Sequence, residues 1–348
     1  MLESRRTVGD VGEKELLRYL RARVPQGPGV LVGIGDDAAV VETSASTLVT
    51  TDSLVEGVHF RREWSPPRLL GRKALSVNLS DVAAMGGLPR HAIVSLCLPA
   101  ETPMAFFEGL YDGLLERAAE TGVSLVGGNL SATDGPLTIT VALLGQAERP
   151  LVRSGARAGD RILVTGHLGA AAQGLKLLAQ GARLDAEGLL SAAGGWTESS
   201  SEALTHCLRA QLDPSPPLAF ARAVVEQDLA HGAMDLSDGL SGDLEEMCRD
   251  SALRATVNAA AVPVDPHAAG FERAKGGDAF SLALHGGEDY QLLLAVAPDR
   301  VEAVRDVAVV WDLPVTVIGE FAAGSGIGLV RDGGVLPLPA RSHQHFRK

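Results

Sequence analysis

The stretch Lys73–Gly87, KALSVNLSDVAAMGG, lies between VTTD (Val49–Asp52) and SLCLP (Ser95–Pro99), and its reading decides the fold. It predicts a helix from Arg68 to about Met85. Ser65, Pro66 and Pro67 give the start signal, since Ser can cap and Pro is tolerated in the first turn, and Gly86 and Gly87 end it. Ala74, Asn78 and Asp81 fall on one helical face at i, i+4, i+7, which puts a carboxylate on a rigid element. Upstream, Ala38–Glu42 and Thr47–Thr51 are short runs rich in β-branched residues. Joined by TSAS, they predict a strand pair, with Thr50, Thr51 and Asp52 at a strand end. Before them Gly9–Arg23 reads as one helix, ended by Pro25 and Gly27. Downstream come a strand over Ala92–Leu98, a helix over Pro103–Thr121, and strands over Val123–Val126 and Leu137–Leu144. Strands and helices so mixed define a compact α+β half.

A chain of 348 residues, 46% hydrophobic, is long enough for two domains. The charged connector QAERPLVRSGARAGD sets the boundary near Pro150, giving domains over 1–149 and 150–348. The second half opens with a strand over Arg161–Thr165, the turn GHLGAAAQG and a helix through Leu178. Helices follow near Leu218–Leu229 and Leu240–Asp250. Strands follow near Ala255–Val262, Gln291–Val296 and Val315–Glu320, with a closing hairpin around Asp332–Gly334. Gly181–Ser201, with GGWTESSS as its core motif, reads as a mobile surface insertion.

The balance of 31 Lys and Arg against 43 Asp and Glu, formal charge −12, disfavours a nucleic-acid partner. The three cysteines, Cys97, Cys207 and Cys248, are too far apart in sequence to suggest a CxxC pair or a disulfide framework, so a reducing cytoplasm is expected. Neither a signal-type h-region nor a run of about 18 apolar residues occurs, so no membrane association is expected.

GIGDDA (Gly33–Ala38) fits a dinucleotide pattern, but the segment after it reads as a strand, and two aspartates would oppose a pyrophosphate. GHLGAAAQG has the strand–turn–helix context without a ribose-binding acid, and close helix–strand packing is its expected role. GxxxxGK[ST] is absent, so phosphates are to be held by another device. Carboxylate-held Mg²⁺ is that device: Asp36, Asp37, Asp52, Asp81, Asp235, Asp238 and Asp243 sit among Gly, Ser and Thr without matched basic neighbours. Taken singly, each is better explained as a turn or cap residue than as a ligand, and it is their shared context that points to a cation site. GGNL (Gly127–Leu130) is either a phosphate-facing turn or an ordinary Gly turn, and GGEDY (Gly286–Tyr290) places two acids before the apolar run QLLLAV. His343 and His345 read as a solvated terminus.

In order, GIGDDAAVV, TTDSLVEGVHF, KALSVNLSDVAAMGG, VGGNLSATDGPLTITV, VRSGARAGDRILVTG, MDLSDGLSGDL and HGGEDYQLLL make a chain that resembles the thiamine-monophosphate kinases. These belong to the wider aminoimidazole ribonucleotide synthetase-like superfamily, and the resemblance runs from about Glu13 to Phe346. It implies a two-domain fold of that type, with an N-terminal α+β dimerisation domain and a C-terminal α/β domain. It also implies a homodimer binding ATP across its clefts, and transfer of the γ-phosphoryl group to thiamine monophosphate. Carried over motif by motif, it implies Mg²⁺ at Asp37, Thr50, Thr51, Asp52, Asp81, Asn129, Asp235 and Asp238. ATP would meet Gly128, Asn129, Arg153, Ser237 and Tyr111, and thiamine monophosphate would meet His59, Glu288 and Phe346. The family usually has GGD where Gly127, Gly128 and Asn129 stand here, so one metal-binding charge is lost and a raised Mg²⁺ requirement is expected. A sister activity of the superfamily, or a nucleotide-binding regulator that has lost catalysis, is the alternative.

Overall fold

The computed structural model describes residues 7–32, 40–43, 46–185, 187–191 and 201–339. Two compact units emerge: one of residues up to Val82, Leu88–Glu148 and Leu184–Leu189, the other of Ala83–Gly87, Arg149–Arg183 and Leu190 onward.

In the first unit the expected N-terminal helix is two, α1 (Val8–Val11) and α2 (Glu13–Arg23), because Gly12 at φ 80° ends the first. Among the described residues the strand pair expected across residues 38–51 is also absent. Instead β1 (Val30–Val32) pairs with β2 (Val40–Val41), while β3 (Thr47–Val55) joins a larger sheet. There follow α3 (Pro67–Ala84), β4 (Leu88–Leu98), α4 (Met104–Thr121), β5 (Ser124–Ala132) and β6 (Thr138–Gln146). The sheet runs in the order β3-β6-β4-β5, with β4 and β5 parallel and the other pairs antiparallel.

Alternation along the strands separates the two sheet faces. Ile139, Val141 and Leu143 of β6 and Ala92, Val94 and Leu96 of β4 are buried, as are Leu75 and Leu79 of α3 and Phe107, Leu110 and Leu114 of α4. Each such Leu or Phe contributes about 1.5–3 kcal/mol. The two helices approach closely through Gly71 and Gly113. A Cβ on Gly71 would lie 2.0 Å from the Leu110 carbonyl oxygen, and one on Gly113 would lie 1.8 Å from that of Arg68. The opposite sheet face carries the rows Val49–Leu144–His91, Thr51–Ala142–Ile93 and Ser53–Thr140–Ser95–Asn129. On it Val49 is 72% exposed and Ile93 42%.

The second unit contains a 3-10 turn at Arg153–Gly155, then β7 (Arg161–Thr165), α5 (Ala170–Ala179), α6 (Ser201–Leu212), α7 (Leu218–Glu226), β8 (Gly232–Leu236) and α8 (Leu240–Ser251). After these come β9 (Leu253–Asn258), α9 (Pro266–Ala274), α10 (Phe280–His285), β10 (Gln291–Val296), α11 (Val301–Val309), β11 (Val315–Ala323), β12 (Gly326–Arg331) and β13 (Gly334–Pro337). The hairpin expected around Asp332–Gly334 is β12–β13. Seven strands form one sheet, β13-β12-β9-β11-β7-β10-β8, parallel only between β12 and β9.

Both faces of this sheet are covered. Ile162, Val164, Leu293 and Ala295 belong to one apolar core with Leu240, Leu244 and Met247, whereas Leu163, Leu292, Leu294 and Val296 belong to another with Phe220, Val224 and Val304. That is why QLLLAV is apolar without alternation. Among the described residues no helix is long and apolar enough to cross a membrane.

Candidate functional site

In the first unit, β3 and α3 bring three of the expected metal-binding residues together. Thr50 Oγ1 donates to Asp81 Oδ2 at 2.5 Å, and the Asp52 backbone N–H donates to Asn78 Oδ1 at 3.0 Å. Because β3 is an edge strand of its sheet, that N–H needs a partner other than a neighbouring strand. Asn78, fully buried, supplies it and returns its own Nδ2–H to the Ala74 carbonyl at 3.1 Å, so a helix side chain sets the height of the strand. Burial first, and the Asp81 carboxylate second, push Asp52 up to about 6. The residue as a whole remains exposed. The Asp81 contribution is therefore the part that a cation between the two would cancel.

Two carboxylates and a hydroxyl are the hard oxygen donors that Mg²⁺ takes, and this ion is commonly held by one or two carboxylates with substrate phosphates and water completing the shell. The donor set fits. Among the described residues no three His, Cys, Asp or Glu side chains gather closely enough to hold a metal by themselves.

Not every expected ligand shares that face. Thr51 Oγ1 turns to the Val141 carbonyl at 3.0 Å, on the uncovered side. Asn129, paired in register with Ser95, lies on that side too, its Nδ2–H donating to Ser131 Oγ at 2.9 Å. GGNL is not a turn: it lies inside β5, where a Cβ on Gly128 would sit 2.0 Å from the Val94 carbonyl oxygen. Tyr111 is 4% exposed, its ring 5.0 Å from that of Phe107, and burial raises its hydroxyl pKa. It is a core residue of α4. His59 accepts the Val55 N–H on Nδ1 at 3.0 Å, which puts the proton of a neutral ring on Nε2. Asp37 and Phe346, with Asp36, His343 and His345, lie outside the described residues.

In the second unit MDLSDGLSGD and HGGEDY form one structure. β8 and β10 are paired, and beyond the ladder the Tyr290 N–H donates to the Leu236 carbonyl at 2.9 Å and the Glu288 N–H to that of Ser237 at 2.7 Å. Ser241 Oγ and His285 Nδ1 lie 2.7 Å apart. Glu288 and Tyr290 both have positive φ, 59° and 49°. Non-glycine residues adopt that conformation only where surrounding bonds over-determine it.

The acids of this region do different things. Asp235 is 3% exposed at the end of β8, and Asp238 is exposed in the following turn. Asp243 accepts the N–H groups of Asp238 and Gly239 at 3.2 and 3.0 Å. Burial, then Asp235 and Asp238, push it up to about 8 against those two bonds. Asp289 accepts the Gly169 N–H with both oxygens, at 3.0 and 3.1 Å, and so closes the N-terminus of α5. Burial pushes it up to about 8 as well. A carboxylate thus occupies the place where GHLGAAAQG would meet a phosphate, in keeping with a packing role for that turn. Arg153 pairs with Glu246 at 2.7 Å.

Sequence reasoning passed over α6 entirely, and with it Gln211, whose Nε2–H donates to Glu288 Oε2 at 2.5 Å. A signal was present. Leu204, Cys207, Leu208, Gln211 and Leu212 are the buried stripe of α6 at i, i+3, i+4, i+7, i+8, and a polar side chain on such a stripe requires a partner.

Comparison with known proteins identifies the fold. Residues 35–147 match the AIR synthase related protein N-terminal domain and residues 157–332 its C-terminal domain, so the fold is that two-domain class. The thiamine-monophosphate kinase of Rhodopirellula baltica is 34% identical over 90% of this chain and 91% of its own. The crystal structure of that kinase from Stenotrophomonas maltophilia is 34% identical, covers 92% of this chain and 96% of its own, and superposes with a TM-score of 0.77. AaThiL complexed with AMPPCP and TMP is 31% identical over 96% of this chain and 98% of its own, with a TM-score of 0.74. The chain belongs to the thiamine-monophosphate kinase family, whose members are kinases with a phosphate group as acceptor.

Proposed function

We propose that this chain transfers the γ-phosphoryl group of ATP to thiamine monophosphate, giving thiamine diphosphate and ADP. The observation that carries the reading is the Thr50–Asp52–Asp81 cluster, an oxygen-donor site on α3 and the middle of edge strand β3 rather than at the strand end expected from sequence, in a chain of this family. A phosphate oxygen of thiamine monophosphate attacks the γ-phosphorus as the bond to the β–γ bridging oxygen breaks. With a second pKa near 6, the acceptor is already largely ionised at neutral pH, so no side chain need act as general base. The task left to the protein is to neutralise and align two polyanions.

Bound Mg²⁺ would supply charge neutralisation and orientation of the phosphates. Asp52 and Asp81 would hold it, with Thr50 fixing Asp81, and Asp235 and Asp238 are the corresponding candidates in the second unit. His59 Nε2–H would donate to the substrate phosphate, and Arg153 and Ser237 would meet ATP. Glu288 would accept from the substrate's aminopyrimidine. The uncovered sheet face, with Val49 and Ile93, supports a homodimer built on the first unit, and the cytoplasm is the location proposed from the absence of a paired-cysteine pattern. Lysine at both positions should leave a monomer in light scattering; an unchanged dimer would move the interface elsewhere.

Incubation with Mg-ATP and thiamine monophosphate, read by chromatography of thiamine diphosphate, tests the activity. Product from thiamine monophosphate and none from thiamine is expected. ATP binding without product at any Mg²⁺ concentration would favour the regulator.

A further inference from the structure

Gln211 has a place in the fold that family-level chemistry does not ask for. It is 4% exposed on α6, 77 residues before Glu288 in the chain, and donates to one oxygen of that carboxylate. The Glu288 main chain is fixed independently, by its N–H to the Ser237 carbonyl and by a φ of 59°. One acid is thus held at both backbone and carboxylate. Arginine or lysine at position 211 would hold Glu288 and also offset its charge. A carboxamide orients the group and leaves the charge in place, and a carboxylate has lone pairs enough for Gln211 and a second donor together.

A second buried amide lies on the adjoining helix α5. Gln173 on α5 is fully buried, and neither its Oε1 nor its Nε2 has a hydrogen-bond partner among the described residues. Its chain neighbours touch the same elements: a Cβ on Gly174 would lie 3.0 Å from Gln211 Cβ, and one on Gly286 would lie 2.5 Å from Ala172 Cβ. Buried amides without partners are rare in native folds and mark places where water or a ligand completes the bonding.

Resting on the thiamine-phosphate reading above, we propose that Gln211 is a positioning residue for Glu288, and that the pair selects an amino-substituted over an oxo-substituted pyrimidine on the substrate. The held carboxylate accepts from an exocyclic amino group. Against an oxo group the same carboxylate sets lone pair against lone pair, a repulsion that discriminates more sharply than a missing contact.

The experiment compares kcat and KM for thiamine monophosphate and its 4-oxo analogue, oxythiamine monophosphate, at saturating Mg-ATP. Wild type should prefer the amino substrate by about 100-fold in kcat/KM. Gln211→Met, of similar length and without a donor, should raise KM for thiamine monophosphate about tenfold and cut the preference about tenfold, with KM for ATP within about twofold. Gln211→Asn, too short to reach, should do the same if the Met variant fails to fold. Glu288→Gln should abolish the preference, because an amide can turn either a donor or an acceptor to the ring. A Gln211 variant that keeps the preference overturns the proposal, as does one that shifts KM for ATP and for both pyrimidines alike. Wild type that makes thiamine diphosphate without preference overturns the pair alone. Wild type that makes none overturns the functional reading and the pair with it.

Discussion

The Asp52–Asp81 cluster of the first unit and the Asp243–Asp289 region of the second are both built from aspartates beside glycine, serine and threonine, yet they work in opposite ways. Asp52 and Asp81 sit on an edge strand and on a helix, reachable by solvent, and burial with the Asp81 carboxylate raises the pKa of Asp52. Asp243 is buried and Asp289 half-buried, and both receive backbone N–H groups. On the proposed reading the first arrangement takes an external cation, whereas the second is satisfied internally and holds chain to chain. Residue type and local composition are alike, and what divides them is which unsatisfied backbone group lies within reach.

The sharpest way to break the comparison is to remove one member of the exposed pair. Asp81→Ala or Asp52→Ala should lower kcat about a thousandfold while far-UV circular dichroism and the melting temperature stay close to wild type. Near-normal turnover in either would mean that the pair is as structural as its counterpart.

Next in size is a pH test of the acids that receive backbone N–H groups. Asp289 has its pKa raised from 3.8 to about 8, so the folded protein binds a proton that the unfolded chain has released. The stability associated with that proton is present at acid pH and is lost as pH climbs from about 4 towards 8. Asp289→Asn resembles the protonated acid at every pH. Wild type should therefore lose stability relative to the variant between pH 5.5 and 8, by at most about 1.4 kcal/mol per pH unit, in urea unfolding. Parallel curves would show an Asp289 that ionises normally.

The smallest effect concerns Asn129, on the uncovered face of the first sheet. Asn129→Asp adds a carboxylate and should lower the Mg²⁺ concentration for half-maximal rate by about two- to threefold. Identical half-saturation would detach Asn129 from the cation requirement.

Much of this was legible beforehand because it is local. The helix carrying Asn78 and Asp81 is read from spacing and flanking Ser, Pro and Gly, and the structure shifts each end by one residue. The strand Arg161–Thr165 and the hairpin at Asp332–Gly334 depend on short apolar runs and turn chemistry, and both stand as read. The single N-terminal helix failed at Gly12, whose positive φ periodicity does not reveal. The strand pair across residues 38–51 failed because adjacency suggested a hairpin, while β6, more than 80 residues away, offered β3 a nine-residue ladder.

The motif aspartates, the apolar periods and the class of chemistry follow from the order of residues, since side-chain type and helical spacing are properties of the chain itself. Tertiary structure alone decided that Asp289 caps α5 while its neighbour Glu288 meets Gln211, that Asn129 and Thr51 face away from Asp81, and that Tyr111 is core. In each case the partner is brought from a distant segment, and hydrogen-bond satisfaction in a packed interior is settled by what arrives there.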